Sequence, residues 1–263
     1  MDRPELFDTH CHLDLGELGL QSDAAWERAR AAGVVQAVVP AIDAASARRI
    51  VALVEPRPGL FAAVGIHPNE TAAAASGDFV AIESAARARK VVAIGETGLD
   101  CYRDRSSLDV QRESLLRHAE LALARDLPLV LHVRQAFAPA AETLRPFAER
   151  GGRAVMHCFD GGPADLHPFL EWGFYVSFSG IVTYAKRDDL RRAAREVPLE
   201  RLLVETDAPF LAPVPVRGRM NEPVFVLHTA RKLAEVRGIT LEELAAATTS
   251  NARSLFRLAE AAA

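Results

Sequence analysis

The sequence is poor in cysteine and contains no long hydrophobic run. Its three cysteines, Cys11, Cys101 and Cys158, are far apart along the chain, which argues against a disulfide framework or a zinc ribbon and predicts reduced thiols. No apolar run approaches the roughly 20 residues of a membrane span, and the first five residues lack the basic and apolar regions of a signal segment. We therefore expect a soluble, cytoplasmic protein with no membrane partner.

An excess of positive charge is also absent. The chain has 31 lysines and arginines against 35 aspartates and glutamates, a net charge of -4. Such a balance excludes a protein that holds nucleic acid by bulk electrostatics, so any polyanion must be bound by local groups. No Gly-x-Gly-x-x-Gly follows the first apolar segment, which argues against an open dinucleotide-binding sheet.

What the chain does contain is a regular alternation of apolar segments with helical patterns. Strands are predicted at residues 6–14, 34–42, 60–66, 91–94, 129–133, 154–159, 174–179 and 201–206. Helices are predicted at 23–33, 44–54, 79–89, 108–125, 140–149, 164–172, 188–196, 223–237 and 241–258. No linker or change in composition divides the chain, so the pattern predicts one α/β domain, residues 1–263, folded as a (β/α)8 TIM barrel.

Two histidines near the start of the chain suggest a metal site. His10 and His12 are two residues apart in the first predicted strand, so both side chains should point to the same face. Neutral imidazole is the commonest metal ligand in proteins. On its own the pair is equally consistent with one core histidine beside a polar one, so further ligands are needed to decide.

Further ligands follow at the ends of later strands, where the active site of such a barrel lies. These residues are His67, Glu96, His132, His157, Glu205 and Asp207. The other histidines, His118, His167 and His228, fall within predicted helices, and we expect structural roles for them. A mixed imidazole and carboxylate set suits zinc or manganese, or magnesium where carboxylates and water dominate. The set is too large for one tetrahedral ion, so two divalent ions are expected.

Several sequence blocks resemble, in order, those of the TatD family of metal-dependent deoxyribonucleases. The first are Phe7-Asp8-Thr9-His10-Cys11-His12-Leu13-Asp14, Gly65-Ile66-His67-Pro68 and Gly95-Glu96-Thr97-Gly98-Leu99-Asp100. The rest are His132-Val133-Arg134, His157-Cys158-Phe159, Ser177-Phe178-Ser179-Gly180, Glu205-Thr206-Asp207-Ala208-Pro209 and Arg217-Gly218-Arg219-Met220-Asn221-Glu222-Pro223. The blocks cover nearly the whole chain.

The resemblance implies a TIM barrel that binds two ions and hydrolyses DNA phosphodiesters, often from the 3′ end. By the family pattern, His10, His12 and Asp207 hold one ion, His132 and His157 hold the other, and Glu96 bridges them. The chain departs from the family at Cys101, Gln135, Val216, Arg219 and Met220. These departures affect the expected substrate contacts and remove no ligand.

The expected mechanism uses a water activated by two metal ions. Asp207 or Glu205 would take its proton, or Glu205 would only orient a histidine. His67 would donate to a phosphate oxygen or to the leaving group, or would only bond within its loop. Candidate substrate contacts are Arg134, Tyr102, Arg103, Arg217 and Arg219, with Lys186 nearby and Phe159, Tyr184 and Phe210 as further aromatic candidates.

Three other functions are weighed. A C–N amidohydrolase is disfavoured because Glu96 stands where many such enzymes have a modified lysine, and Lys90 precedes the strand. Hydrolysis of another ester, such as an aminoacyl link on RNA, would use the same site. A non-enzymatic binding module would be expected to have lost ligands, and none is missing. We expect a monomer with no obligate protein partner.

Overall fold

A computed structural model describes residues 3–103 and 105–259. Within those residues the chain forms eight strands and ten α-helices. The strands are β1 (Leu6–Asp8), β2 (Val34–Pro40), β3 (Leu60–Val64), β4 (Val91–Asp100), β5 (Leu129–Arg134), β6 (Ala154–Met156), β7 (Tyr175–Phe178) and β8 (Leu202–Val204). They form one eight-stranded sheet in the order β1 to β8, with helices between successive strands. None of the described helices is long and apolar enough to span a membrane.

The helices agree with the predicted alternation. They are α1 (Gly16–Gly19), α2 (Ser22–Ala31), α3 (Ala44–Val54), α4 (Asp78–Ala85), α5 (Leu108–Arg125), α6 (Phe137–Glu149), α7 (Pro163–Glu171), α8 (Asp188–Glu196), α9 (Val226–Arg237) and α10 (Leu241–Phe256). Local sequence explains several boundaries. Asp43 caps the N-terminus of α3, and Thr240 caps that of α10. Each forms a capping box in which its side chain accepts a hydrogen bond from the N–H of the third helical residue.

The chain divides into two compact units. The first unit comprises residues 1–39, 158–166 and 175–263, and the second comprises 40–157 and 167–174. That one domain spans residues 1–263 remains a prediction.

The first unit contains β7, β8, β1 and nearly all of β2. β1 pairs in parallel with β2, and β7 pairs in parallel with β8. The Thr9 N–H donates to Val204 O (3.1 Å), which links the chain after β1 to the end of β8. α10 packs against β1 and β8. The central strand residues are buried on both sheet faces, as parallel strands covered by helices require.

The second unit contains β3 to β6, paired in parallel in that order. Its long central strand β4 is buried along its whole length. α5 packs along β4, and α3 packs on β3. The buried histidine of α5, His118, lies in this interior. It accepts from the Ile66 N–H at Nε2 (3.0 Å) and donates from Nδ1 to Ser114 O (2.7 Å), which confirms the structural role expected for it.

Two strand boundaries differ from prediction in ways that matter for the site. β1 ends at Asp8 rather than at residue 14, so His10 and His12 follow the strand rather than lie in it. β4 continues to Asp100 rather than ending at residue 94, so Glu96 lies inside a strand. The first strand was predicted too long because apolar Leu13 follows the two histidines. The fourth was predicted too short because polar residues and glycines after Ile94 interrupt the hydrophobic pattern.

Candidate metal centre

Three side chains converge just beyond β1 and β8 in the first unit. Nε2 of His10 and Nε2 of His12 are 3.2 Å apart. Oδ1 of Asp207 lies 3.8 Å from the first of these nitrogens and 3.7 Å from the second. Both imidazoles are almost fully buried. We call His10, His12 and Asp207 the first-unit triad.

Backbone hydrogen bonds hold the triad in place. The chain after β1 bonds alternately to its two neighbours, with Cys11 N–H donating to Val38 O (3.0 Å) and His12 N–H donating to Ala208 O (2.7 Å). The Asp207 N–H donates to the carbonyl of His10 (2.9 Å). The expectation that the two histidines face the same way is therefore correct, although β1 itself ends before them.

A buried carboxylate braces the same segments from behind. Asp8 accepts from the N–H of Thr206 (2.9 Å), the hydroxyl of Thr206 (2.6 Å) and the N–H of His10 (3.3 Å). Burial raises the pKa of Asp8 to about 8, against the opposing effect of the Thr206 hydrogen bonds. Asn221 adds a second brace, because its Nδ2 donates to Thr206 O (2.8 Å) and Phe210 O (2.6 Å).

The two acidic residues after β8 have different environments. Glu205 is completely buried, whereas the side chain of Asp207 is 13% exposed. Asp207 also has a φ of +56°, a left-handed conformation that aspartate tolerates better than most residues. Such conformations concentrate at functional sites. Asp207 is therefore the more accessible of the two candidate bases.

In the second unit, three histidines surround one carboxylate. Oε1 of Glu96 lies 2.9 Å from Nδ1 of His132, 3.1 Å from Nε2 of His157 and 3.4 Å from Nε2 of His67. Asp100 adds a second carboxylate, with Oδ2 3.3 Å from Nε2 of His132. We call these five residues the second-unit cluster. His67, Glu96 and His132 are therefore close enough together to bind one metal ion, so the contacts of His67 extend beyond its own loop.

A bulge in β4 presents Glu96 to the histidines. Three steps along β4, from Ile94 to Thr97, match only two along β5, from Leu129 to Leu131, so β4 has one extra residue at this point. Bulges of this kind re-aim side chains near active sites. Gly98, with a φ of +145°, makes the close approach possible, because a Cβ there would lie 1.9 Å from the carbonyl oxygen of His132.

Asp100 is a site residue that the sequence reasoning missed. Besides His132, its carboxylate accepts from Asn69 Nδ2 (2.9 Å) and from the N–H groups of Tyr102 (2.8 Å) and Arg103 (2.9 Å). These hydrogen bonds lower the pKa of Asp100 well below its usual range, despite burial, which acts in the opposite direction. One signal was available: Asp100 lies four residues after Glu96, so in a strand continued past residue 94 it would share the same face.

The histidines of the second-unit cluster differ in charge preference. Burial lowers the pKa of His67, so its neutral form is favoured. Its Nδ1 accepts from the Asn69 N–H (3.0 Å), which leaves the proton on Nε2. The pKa of His132 is raised: burial acts to lower it, but hydrogen bonds to Asp100 and Glu96 outweigh that effect. Asp100 thus orients the His132 ring in the manner of carboxylates behind metal-bound histidines.

Both groups of residues fit a divalent cation. Ligand atoms about 2.0–2.2 Å from a tetrahedral ion are roughly 3.3–3.6 Å from one another. The separations in the first-unit triad, 3.2–3.8 Å, and around Glu96, 2.9–3.4 Å, are close to this value. The donors are imidazoles and carboxylates, which suit zinc and manganese better than calcium.

Two of the arginines predicted to contact substrate stack on tyrosine rings. In the second unit the Arg134 guanidinium stacks 3.8 Å above the ring centroid of Tyr102, which is exposed, as is Arg103. In the first unit Arg217 stacks 4.2 Å above the ring of Tyr184, and Arg219 is exposed.

The remaining aromatic candidates separate by burial. Phe159 is buried and packs on Phe178, so it does not present a face to a substrate. Phe210 is 51% exposed and contacts the ring of His12 edge-on, with centroids 6.1 Å apart.

Cys11 and Cys158 each adjoin a candidate ligand in sequence, so side-chain alternation along a strand predicts that they face away from the metals. Cys11 is buried with Sγ 3.8 Å from Val38 O, consistent with that prediction. Cys158 does not lie in a strand, because β6 ends at Met156, and its φ is +45°. Its Sγ lies 3.2 Å from Oγ of Ser179 instead.

Parallel strands separated by helices, with histidine and carboxylate clusters at the strand ends, define the class of metal-dependent hydrolases. The model of the family TatD related DNase matches residues 7–257. The chain belongs to this family.

Individual relatives agree with that membership. The chain is 36% identical over 253 residues to the metal-dependent hydrolase YabD of Bacillus subtilis, covering 96% of this chain and 99% of the relative. It is 36% identical over 262 residues to a 3'-5' ssDNA/RNA exonuclease TatD of Pantoea vagans, covering 97% of this chain and 100% of the relative. The crystal structure of YJJV, a TatD homologue from Escherichia coli, matches with a TM-score of 0.92 and 31% identity, covering 98% of this chain and 100% of that one. The predicted TIM-barrel fold is thereby confirmed.

Proposed function

We propose that this hydrolase cleaves DNA phosphodiester bonds as a 3′-5′ exonuclease acting on single-stranded or damaged DNA. The observation that most strongly supports the proposal is the grouping of three histidine nitrogens within 2.9–3.4 Å of one oxygen of Glu96. The names of relatives such as the Pantoea vagans exonuclease point to the same substrate class. A cytoplasmic location and a monomeric state remain predictions from the sequence.

Two divalent ions, magnesium, manganese or zinc, are the proposed cofactors. The first-unit triad would hold one, and Glu96, His132 and His157 would hold the other. Such ions supply Lewis-acid stabilisation of the charge that develops on a phosphodiester and lower the pKa of water.

Protein groups perform the proton transfers. Asp207 is proposed to accept the proton of the attacking water, since its side chain reaches solvent while Glu205 is fully enclosed. Glu205 then serves as a buried orienting carboxylate. His67 has its proton on Nε2, and burial lowers its pKa and keeps the ring neutral, so it is suited to donate a hydrogen bond to a phosphate oxygen or to the leaving-group oxygen.

Substrate binding requires local positive charge because the protein as a whole is slightly acidic. Arg134 and Arg217 are proposed to contact backbone phosphates, with Arg103 and Arg219 on the exposed rim. Arginine offers two parallel donors to a phosphate and stays charged at every working pH.

The direct test uses metal-stripped protein and a single-stranded DNA labelled at its 5′ end, with Mg²⁺, Mn²⁺ or Zn²⁺ restored separately. A ladder that shortens from the 3′ end and disappears in Glu96→Ala is the expected result. Glu142→Ala is the matched control, because Glu142 is an exposed carboxylate of the same unit that pairs with Arg112. Absence of cleavage with every metal would overturn the DNA assignment. Aminoacyl-RNA esters would then be tested, ahead of C–N substrates.

A further inference from the structure

Tyr102 is an exposed aromatic residue whose backbone is fixed. Its side chain is 56% exposed, which is unusual for a residue that gains by burying its ring. Its N–H donates to Oδ1 of Asp100 (2.8 Å), the carboxylate that also contacts His132. The ring is thus presented to solvent from a turn that is anchored to the second-unit cluster.

One face of this ring is covered by an arginine. Cζ of Arg134 lies 3.8 Å from the ring centroid, a cation–π contact. Asp100 and Arg134 are register partners across β4 and β5, so an ion pair between them would be the ordinary outcome. The Asp100 carboxylate instead accepts from His132, Asn69 and two backbone N–H groups, which occupy the roughly four acceptor positions that a carboxylate has.

The N–H donors of the Arg134 guanidinium therefore remain available. Among residues 3–103 and 105–259, the contact of its side chain is the cation–π stack on Tyr102, and no hydrogen bond or ion pair is present. By contrast, Arg112 of the same unit pairs with Glu142 at 3.2 Å. Arg134 lies two residues after His132 in β5, so both side chains project to the same face of the strand.

We propose that the Tyr102–Arg134 stack binds one nucleotide of a single-stranded nucleic acid. The guanidinium takes a backbone phosphate, and the uncovered face of Tyr102 takes the adjacent unpaired base. A base within a duplex is already stacked on both faces, so this site selects single strands. The proposal rests on the proposed function in naming nucleic acid as the ligand.

Binding is measured without cleavage, using metal-stripped protein in chelator and fluorescence anisotropy. One probe is a short fluorescein-labelled oligothymidylate, and the other has the same length and phosphates but abasic sites in place of the bases. Tyr102→Ala should weaken binding of the first probe about tenfold, since stacking contributes about 1–3 kcal/mol per base, and leave the second within about twofold. Tyr102→Phe should bind both probes as the wild type does. Arg134→Met should weaken both probes and lower the salt dependence by about one phosphate contact.

Tyr175→Ala is the matched control. Tyr175 also lies beneath an arginine, with Cζ of Arg201 5.0 Å from its centroid, but it stands at the start of β7, the end opposite to the strand ends that bear the ligands. It should bind both probes normally. Equal weakening of both probes by Tyr102→Ala, or no effect of Arg134→Met, would overturn the proposal. If the protein cleaves single-stranded DNA but neither binding nor cleavage depends on Tyr102, the exonuclease proposal stands and the nucleotide site does not. If binding depends on the bases but no DNA is cleaved, only the nucleotide site stands.

Discussion

The two units hold their ligand groups by different means. In the first-unit triad, Asp207 Oδ1 stays 3.7–3.8 Å from the histidine nitrogens, and the backbone bonds of residues 9–12 and 207–208 fix the geometry. In the second-unit cluster, the side chains contact one another directly, with Glu96 2.9 Å from His132. The first arrangement resembles a preformed cage and the second a coupled network. The second should therefore be more sensitive to loss of a single side chain.

The largest effect is expected where one atom serves several partners. Glu96→Ala removes the oxygen that three histidines share, and should lower kcat/KM on single-stranded DNA by about a thousandfold or more. The assay is initial-rate cleavage in the preferred metal. A loss of less than about tenfold would show that the second-unit cluster is not a single coupled site.

The next prediction compares a glycine-to-alanine substitution in each unit by its effect on the free energy of unfolding. Gly98→Ala in the second unit places a methyl group 1.9 Å from the His132 carbonyl oxygen, so β4 and β5 must separate. We expect a loss of about 3 kcal/mol or more in the free energy of unfolding by urea. Gly218→Ala in the first unit has open space and a φ of +91°, so only conformational strain of about 1 kcal/mol should appear. Equal losses in the two variants would contradict the role given to Gly98.

A substitution at Asp100 tests a residue that contacts a proposed ligand, His132, and is not itself proposed to bind the ion. Asp100→Asn should lower the affinity of the second-unit cluster for its ion about 10–100-fold, because the His132 ring loses its charged hydrogen-bond acceptor. Isothermal titration with Mn²⁺ or Zn²⁺ measures the affinity, and Asp109→Asn, whose side chain is 96% exposed, serves as the control. Unchanged affinity would mean that Asp100 only shapes the turn at Tyr102 and Arg103.

The smallest effect concerns stability against pH. Burial lowers the pKa of His118 to about 4, with Ser114 opposing and Arg117 adding to the shift. The unfolded chain protonates this residue near 6.5, so between those values the unfolded state binds more protons and stability falls as the pH falls. The wild type should lose about 2 kcal/mol from this residue between pH 7.5 and pH 5. In His118→Gln that component should vanish in urea unfolding at the two pH values, and an unaltered pH dependence would refute the assignment.

The sequence predicted the fold well because parallel strands leave continuous apolar runs and helices leave periodic ones. α3, α5 and α8 match their predicted bounds. It also predicted that the side chains of His10 and His12 face the same way, since side-chain alternation persists past the end of β1. It missed Asp100 because the bulge at Glu96 and the two glycines nearby hide the continuation of β4. The stacking of Arg134 on Tyr102 could not be predicted from the sequence either, because it depends on other donors occupying the acceptor positions of Asp100.

Metal content tests the central claim most directly, namely that the histidine and carboxylate ligands together hold two divalent ions. The measurement is the number of ions retained after dialysis, by mass spectrometry of the metal, in the wild type, His12→Ala and His132→Ala. The account predicts two ions in the wild type and one in each variant. A wild type that retains a single ion, or a single substitution that removes both, would contradict it.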